Sequence, residues 1–306
     1  MQKNLLSVTG LEKSYGKFIT LRQLDLQVQD GTIHGLVGLN GSGKTTTLEC
    51  ILGLQSFQAG HIEVLGFAPH RLAEARGRVV AIFDTPSLPL NLTVRQCLQH
   101  ARLLCPTPAR TTAEAEALLG LTRFSDFKIR QLSLGNKRRA GIAQALLGNP
   151  QLILLDEPFN GLDAGGVDDV LELIARLNRE AGTGFLLSSH QLPYLERVCS
   201  HLAILHEGRV VRHDRIDKLL QHERTRVLLR TPQVDEARVA IERCDGAAYL
   251  HTAPDNSLIL ELDGLDSAEL NARLVTQGIG VAELSLQRAT LDSLFREITE
   301  TTGEAL

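Results

Sequence analysis

The sequence predicts an α/β fold joined to a smaller α+β domain, and three features of the chain support this prediction. Short apolar runs with strand character alternate with turn residues between residue 5 and about residue 66. A glycine-rich loop at residues 41–43 follows one of these runs and leads into a helical pattern. The pattern of strands and helices changes after about residue 222. We therefore expect one large domain over residues 1–222 and an accessory domain over residues 223–306.

The first domain is predicted to combine a mixed sheet with a helical insert. Its early strands are expected at LLSVTG, LDLQV, IHGLVG and HIEVLG. Residues 93–122 carry helical spacing, with Pro106 and Pro108 as the break between two helices, so we expect a helical subdomain over about residues 84–148. A buried strand (QLILLD), a helix (GVDDVLELIARLNRE) and a second buried strand (GFLLSS) follow this insert.

The C-terminal part is predicted to follow the order β-α-β-β-α-β-α. Its strands are expected at RVLLR, AAYLHT, SLILEL and VAELSLQ, and its helices at residues 235–243, 267–277 and 290–300. This order is typical of a split-βαβ unit, so we expect a ferredoxin-like domain.

The composition narrows the class of protein. Of the 306 residues, 43% are hydrophobic and 22% are charged, which indicates a globular chain. The formal net charge is −4, so we expect no nucleic-acid partner, because domains that neutralise many phosphates are usually basic. The five cysteines are widely spaced and odd in number, which favours a reducing cytoplasm over a disulfide framework or zinc site. No apolar run approaches the ~18 residues that a membrane span requires.

The glycine-rich loop carries the pattern G-x-x-x-x-G-K-T between an apolar strand and a helix, the context that a phosphate-binding loop requires. Glycines let consecutive backbone N–H groups curl around a β-phosphate, Lys44 reaches the β- and γ-oxygens, and the Thr45 hydroxyl is a ligand for Mg²⁺. The sequence therefore predicts a site for a nucleoside triphosphate with Mg²⁺. Its predicted nucleotide-binding residues are Gly38, Asn40, Gly41, Ser42, Gly43, Lys44, Thr45 and Thr46.

Two carboxylates follow the buried strand LILLD. Asp156 lies at the end of that strand beside the predicted loop, where it can hold Mg²⁺. Glu157 then points at the γ-phosphate, and we expect it to orient or deprotonate the attacking water. His190 ends the next strand, where a hydrogen bond could detect the γ-phosphate. Lys44, Glu157 and His190 are the predicted catalytic residues, although a histidine after a strand is more often structural.

Taken together, the phosphate loop, LSLGN, LILLDEP, NGLD and SSH resemble the ATP-binding subunit of an ABC transporter over about residues 5–220. The resemblance implies ATP and Mg²⁺ as ligands, with Tyr15 stacked on adenine. It implies a homodimer in which Ser133 and Gly135 bind the γ-phosphate of ATP held by the partner, with Asp163 across the interface. It further implies that Arg139 supports the signature helix.

The chain departs from the family pattern in two motifs. Leu134 and Asn136 replace glycine and glutamine in the signature loop. Asp84 takes the position of a glutamine that contacts Mg²⁺, and an acid in this loop resembles the branch that exports bacitracin-like and lantibiotic peptides. We therefore expect Thr45, Asp84 and Asp156 to be the metal ligands.

The C-terminal segment ATLDSLFREIT resembles the tail of daunorubicin-type drug-exporter ATPases, where the tail serves dimerisation or the membrane partner; a plain capping domain is the alternative. The leading functional hypothesis is an ATPase that powers an exporter through separate membrane-spanning permease subunits, peripheral on the inner face of the cell membrane. The permease is expected to contact residues 84–100. The alternatives are a soluble ABC ATPase and a weakly hydrolysing regulatory or immunity module.

Overall fold

A computed structural model describes residues 3–84, 88–221, 225–287 and 290–303 of the chain. The chain divides into two compact units, Met1–Ile216 and Asp217–Leu306. The predicted domain boundary after residue 222 lies outside the described residues, as do residues 85–87 of the loop DTPSLPLNLT and Ala289 at the start of ATLDSLFREIT.

The first unit contains a small antiparallel sheet whose strand order is β2–β1–β4. In β1, Leu5, Leu6, Val8 and Leu11 are buried, whereas Tyr15 at the strand's end is exposed. The two longer strands, β1 and β2, extend from the hydrophobic core to the exposed residues Tyr15 and Phe18. The bounds of the three strands are β1 (Asn4–Tyr15), β2 (Phe18–Gln29) and β4 (Ala59–Val64).

The larger sheet of this unit has the order β5–β6–β7–β3–β8–β9, and every pairing in it is parallel except that of β8 with β9. Every residue of β3, β6 and β7 is buried, as expected for strands covered on both faces. Because these three strands are parallel, their carboxyl ends meet at one edge of the sheet. The strands are β3 (Ile33–Val37), β5 (Val79–Ile82), β6 (Leu152–Asp156), β7 (Gly184–Ser189), β8 (His201–His206) and β9 (Arg209–Arg215).

Helices flank this sheet, and three of them lie between β5 and β6 in the chain, where the sequence predicts a helical subdomain. Capping boxes start two of these, at Thr93 with Gln96 and at Thr111 with Glu114. The helices are α1 (Lys44–Ile51), α2 (Val94–Leu104), α3 (Thr112–Leu118), α4 (Leu134–Ala145), α5 (Ala164–Ala181) and α6 (Leu192–Val198), with 3-10 turns at Pro69–Ala75, Thr122–Phe124 and Ile129–Gln131.

One hydrophobic core joins the two sheets of the first unit and α1. Leu6 and Leu24 of the small sheet, Leu154 and Leu186 of the large sheet, and Leu48 of α1 belong to this cluster, and each is at most 1% exposed. Burial of these apolar side chains fixes α1 against the sheet. The loop that precedes α1 is consequently held at the carboxyl edge of the strands.

The second unit has its own core and a four-stranded antiparallel sheet of order β11–β12–β10–β13. Its elements follow one another as β-α-β-β-α-β-α, the order of a split-βαβ unit. They are β10 (Thr225–Arg230), α8 (Val234–Glu242), β11 (Ala247–Thr252), β12 (Leu258–Leu262), α9 (Ser267–Thr276), β13 (Glu283–Gln287) and α10 (Leu291–Gly303), and α7 (Ile216–Gln221) precedes them. Across the described residues, no helix is long and apolar enough to cross a membrane.

Candidate functional site

The predicted phosphate loop connects the end of β3 to the start of α1. Two of its glycines are required by their surroundings: a Cβ on Gly38 would overlap the Ser42 side chain and the carbonyl oxygen of Leu205. Gly43 has a φ of 108°, which side chains other than glycine rarely adopt, and a Cβ there would meet Leu21. The loop therefore takes a conformation that only this glycine pattern permits.

Lys44 is buried at the first position of α1. Its Nζ donates hydrogen bonds to the carbonyl oxygens of Gly38 at 2.8 Å and Leu39 at 3.3 Å, and it lies 3.4 Å from Glu157 Oε1. The ammonium group thus curls back over the loop instead of extending into solvent. This position places a positive charge where phosphate oxygens would sit.

Two of the predicted metal ligands, Thr45 and Asp156, are in direct contact. Thr45 Oγ1 donates a 2.9 Å hydrogen bond to Asp156 Oδ2, and Ser188 Oγ donates to Asp156 Oδ1. A hydroxyl and a carboxylate are hard oxygen ligands of the kind that Mg²⁺ prefers, and Mg²⁺ is usually held by one or two carboxylates plus phosphates. Among the described residues, no cluster of three or more histidine, cysteine or acidic side chains could hold a metal alone. The residues present therefore fit Mg²⁺ bound together with a nucleotide.

Glu157 follows β6 with a φ of 45°, a left-handed conformation that costs a non-glycine residue roughly 1 kcal/mol or more. Its carboxylate contacts Lys44 through Oε1 and lies within hydrogen-bonding distance of Ser189 Oγ (3.1 Å) and His190 Nδ1 (3.0 Å) through Oε2. The strained turn directs this carboxylate toward the phosphate loop. The Glu157 carboxylate is therefore held by three side chains, and its role as a base stays a prediction.

A cavity of about 700 Å³ joins these groups, a size suited to a nucleotide. It contains eleven of the residues predicted from the sequence, and Gly38 and Ser42 belong to the loop that forms its base. Sequence reasoning did not assign Phe18, Thr20 or Asn160, which also line it. The predicted lining residues are Tyr15, Asn40, Gly41, Gly43, Lys44, Thr45, Thr46, Asp84, Asp156, Glu157 and His190.

Polar atoms without partners mark the same region. Thr20 Oγ1 and Ser42 Oγ are buried and have no hydrogen-bond partner within the described part of the chain. Buried hydroxyl oxygens are rarely left unpaired. Both lie at or next to the phosphate loop, so the site is suited to a polar ligand.

Asp84 follows Phe83 directly after the end of β5, and it lines the cavity. Its Oδ1 accepts a 2.8 Å hydrogen bond from Arg138 Nη2 of α4 and a 3.3 Å hydrogen bond from Asn160 Nδ2. Arg138 also donates to the carbonyl oxygen of Asn160 at 2.9 Å. Asp84 is therefore occupied by protein donors, whereas Thr45 and Asp156 contact each other directly.

The other predicted nucleotide ligands are not part of this cavity lining. Ser133 caps the N-terminus of α4 and accepts a hydrogen bond from the Asn136 N–H, and Gly135 lies in the first turn of that helix. Asp163 caps α5 by accepting from the Gly166 N–H at 2.9 Å. Arg139 pairs with Asp169 of α5, which connects these two helices. Within one chain, the phosphate-loop residues therefore line one cavity. The signature half of the predicted site, which is Ser133, Gly135 and Asp163, is not part of that lining.

Comparison with known proteins agrees with this geometry. The profile of the family described as ABC transporter matches residues 21–160. The bacitracin transport ATP-binding protein BcrA of Bacillus licheniformis is 31% identical over 95% of this chain and 96% of its own length. The daunorubicin resistance ATP-binding protein DrrA3 of Streptomyces coeruleorubidus is 32% identical over 98% of this chain and 97% of its own.

Solved structures give the same result. The structure of an ATP-binding subunit of an ABC transporter is 32% identical, with a TM-score of 0.62 over 71% of this chain and 92% of that chain. The dimeric post-hydrolysis structure of the cassette MJ0796 with ADP and phosphate is 24% identical, with a TM-score of 0.62 over 69% of this chain and 98% of that chain, and it supports the fold alone. The predicted fold class and the predicted drug and bacteriocin branch are confirmed. The chain belongs to the ABC transporter family, as an ATP-hydrolysing nucleotide-binding subunit.

Proposed function

We propose that two copies of this subunit enclose ATP at composite sites and use its hydrolysis to drive export through separate membrane-spanning subunits. The observation that carries this proposal is the separation of the site into two halves. Lys44, Thr45, Asp156 and Glu157 line one cavity, and Ser133 at the start of α4 does not line it. A second chain can supply the missing half.

The start of α4 has the chemistry to bind a phosphate. The first backbone N–H groups of a helix lack helical acceptors, and the helix dipole adds partial positive charge there. Ser133 adds a hydroxyl, and Gly135 leaves the backbone of the first turn open because its nearest neighbour is the Leu162 side chain at 3.6 Å from a Cβ placed there. The γ-phosphate of ATP held by the partner's loop is the anion that fits this position.

The loop side performs the chemistry. Lys44 exchanges its contacts with Glu157 and the loop carbonyls for the β- and γ-phosphate oxygens, whose charge it offsets. Glu157 then accepts a proton from the attacking water, and Ser189 and His190 keep its carboxylate aimed at that water. His190, which lines the same cavity, is the residue that we propose contacts the γ-phosphate.

Thr45 and Asp156 are the residues that would hold Mg²⁺, and Asp84 becomes a third ligand if it leaves Arg138. The chemistry that Mg²⁺ would supply there is to offset negative charge on the phosphate groups. Asp156 is oriented for this role by Ser188, whose hydroxyl occupies its other oxygen.

We assign the contact with the permease to an apolar surface of the helical subdomain. A largely apolar groove of about 530 Å³ lies between β5, α2 and α4, and Phe83 and Leu88 also line it. Leu103 is 84% exposed and Leu104 is 71% exposed at the end of α2, although side chains of this kind are usually buried. A short helix of a membrane-spanning partner would cover these side chains and bring this subunit to the inner face of the cell membrane.

Mixing two inactive variants tests the composite site. Lys44→Ala damages the loop half of a site, and Ser133→Arg blocks the signature half. If the halves come from different chains, a mixed dimer contains one intact site, and the mixture hydrolyses ATP although each variant alone does not. If both halves belong to one chain, the mixture stays inactive and the dimer proposal is wrong.

Export through a partner requires a second measurement. We expect a tagged chain purified from membranes to bring down a protein with several apolar spans. Leu104→Asp is expected to abolish this association and to leave the ATPase activity of the isolated subunit unchanged, because Leu104 lies outside the nucleotide cavity. Retained association would exclude the groove as the permease contact.

A further inference from the structure

Lys13 occupies a position in β1 that the strand pattern reserves for an apolar side chain. It lies two residues after Leu11, which is fully buried, and its own residue surface is only 4% exposed. Lysine is almost never buried to this degree without a partner, because burial of an ammonium group costs free energy. The proposed steps of ATP hydrolysis do not use it.

Two contacts stabilise the buried ammonium group. Lys13 Nζ donates a 2.6 Å hydrogen bond to the carbonyl oxygen of Ser56 and lies 4.6 Å from the centroid of the Tyr15 ring, over its face. Within the part of the chain that the structure describes, no carboxylate forms an ion pair with Lys13. Of these two partners of Lys13, the Tyr15 ring is the one that lines the nucleotide cavity.

The backbone between these two residues is also fixed. Ser14 N–H donates to Gln58 Oε1 at 2.9 Å, and Gln58 Nε2 donates to the Ser14 carbonyl oxygen at 3.2 Å. Across the hairpin, Tyr15 pairs with Phe18. Although the Tyr15 residue is 46% exposed, its ring is thus held by Lys13 from one face and by a fixed strand end.

We propose that Lys13 is the positioning residue for base recognition: its ammonium holds the Tyr15 ring and strengthens stacking of adenine on the ring's other face. This inference rests on the proposed function, since it takes Tyr15 as the surface that receives the base. Lys13 does not line the nucleotide cavity. It acts on the nucleotide only through Tyr15.

The physical reason lies in the charge distribution of aromatic rings. The face of a tyrosine ring is negative, and so is the face of adenine, so stacking is weakened by repulsion between the two. A cation on one face draws electron density toward itself and makes the opposite face less negative. The same cation restricts the ring to one orientation and lowers the conformational entropy lost on binding.

Lys13→Met is the principal test, because methionine keeps the length of the side chain and removes the charge. We expect the Kd for ATP, measured in magnesium-free buffer so that none is hydrolysed, to rise about three- to tenfold, the range of a cation–π contact. The Kd for inorganic tripolyphosphate should not change, since tripolyphosphate has no base. With Mg²⁺ present, KM should rise while kcat stays the same.

Three further variants separate positioning from a structural role. Lys13→Arg retains the cation and is expected to bind ATP like the wild type. Lys17→Met removes an exposed lysine from the same hairpin and should have no effect. In a Tyr15→Leu background, Lys13→Met should not weaken ATP binding further, because the ring through which it acts is gone.

The outcomes distinguish this inference from the proposed function. Equal losses of ATP and tripolyphosphate affinity, an effect that persists without Tyr15, or ATP binding by Lys13→Met at the wild-type level would each overturn it. If Lys13→Met does not fold, Lys13→Gln, which retains a donor for Ser56, takes its place with the same expectations. Failure of the wild type to bind or hydrolyse ATP would instead contradict the proposed function itself.

Discussion

The carboxylate of Asp84 accepts a 2.8 Å hydrogen bond from the guanidinium of Arg138, which ties the edge of the nucleotide cavity to the helix that begins after Ser133. Arg138 is buried, with 5% of its side chain exposed, and its Nε has no hydrogen-bond partner among the described residues. The single charge on Asp84 therefore compensates a buried cation. A glutamine at this position could accept a hydrogen bond from Arg138 but could not neutralise it.

Removal of this charge should destabilise the subunit. We expect Asp84→Asn to lower the free energy of unfolding by about 1–2 kcal/mol in the absence of nucleotide, less than a fully buried pair because the Asp84 side chain is 44% exposed. Urea denaturation measures this change. Asp169→Asn is the matched control, since Asp169 pairs with the neighbouring Arg139 at a more exposed position. A double-mutant cycle with Arg138→Met that gives no coupling would contradict the role of the pair.

The second prediction concerns the carboxylate of Glu157. Glu157→Gln keeps the shape of the side chain and its contacts with Ser189 and His190, but an amide cannot accept the proton of water. We expect ATP binding and ATP-dependent dimer formation to persist while hydrolysis falls at least about 100-fold. Phosphate release in a single turnover, together with the molecular mass in solution, checks both parts.

Glu207→Gln serves as the control for this variant. Glu207 is exposed and, like Glu157, has a left-handed backbone, with a φ of 46°, but it does not line the cavity. Its replacement should leave hydrolysis unchanged. Wild-type turnover by Glu157→Gln would remove Glu157 from the role of base.

The 2.9 Å hydrogen bond between Thr45 and Asp156 predicts a strong dependence on Mg²⁺. Chelation of divalent ions should abolish hydrolysis. Asp156→Asn should raise the Mg²⁺ concentration for half-maximal activity by about tenfold or more, because an amide oxygen carries no charge. Titration of ATPase activity with Mg²⁺ tests this, with Asp25→Asn as a control, because the Asp25 carboxylate accepts a hydrogen bond from the Gly10 N–H and does not line the cavity. An unchanged Mg²⁺ requirement would argue against Asp156 as a ligand.

Features contiguous in the chain were predictable from the sequence. The phosphate loop could be located because its glycines, lysine and threonine form one pattern, and Asp156 and Glu157 because they end an apolar run. The structure brings these residues to one cavity, and their individual roles stay predictions. Strands β5 and β9 could not be recognised, because β5 has only four half-buried residues and no residue of β9 is fully buried. Strand β8 is apolar, with four buried residues, and was missed.

Contacts between distant segments could not be predicted. Asp84 and Arg138 are separated by 54 positions, and nothing in either local pattern indicates that they meet. The same holds for Lys13 and Ser56, which come together only because β1 pairs with β4. A buried charged side chain pairs with whichever group the fold brings next to it, and that group can be distant in the sequence. Lysine is rarely buried, so a pattern based on average burial does not predict a buried Lys13.

Three histidines at one side of the large sheet predict a dependence of stability on pH. His34 in β3 is 1% exposed, its ring stacks on that of His201 with centroids 4.5 Å apart, and the His213 ring lies 5.6 Å away at its edge. Burial, followed by the charges of His201 and His213, lowers the pKa of His34 from 6.5 to about 3. The folded protein therefore requires a neutral His34.

The sign of the effect follows from proton binding. Between pH 6.5 and about 3 the unfolded chain protonates His34 and the folded chain does not, so the free energy of unfolding falls as the pH decreases through this range. One such group contributes up to about 1.4 kcal/mol per pH unit. Above pH 7 both states are neutral at this position, and the contribution of His34 no longer changes with pH.

Urea denaturation of the full chain between pH 4 and pH 8 tests this prediction, with His34→Gln compared to the wild type because carboxylates also contribute at low pH. The glutamine variant does not titrate, so the difference in unfolding free energy between wild type and variant should shrink or reverse as the pH falls. His61→Gln, at an exposed position in β4, should follow the wild type throughout. Parallel curves for His34→Gln and the wild type would mean that His34 has the same pKa in the folded and unfolded states, and they would contradict this prediction.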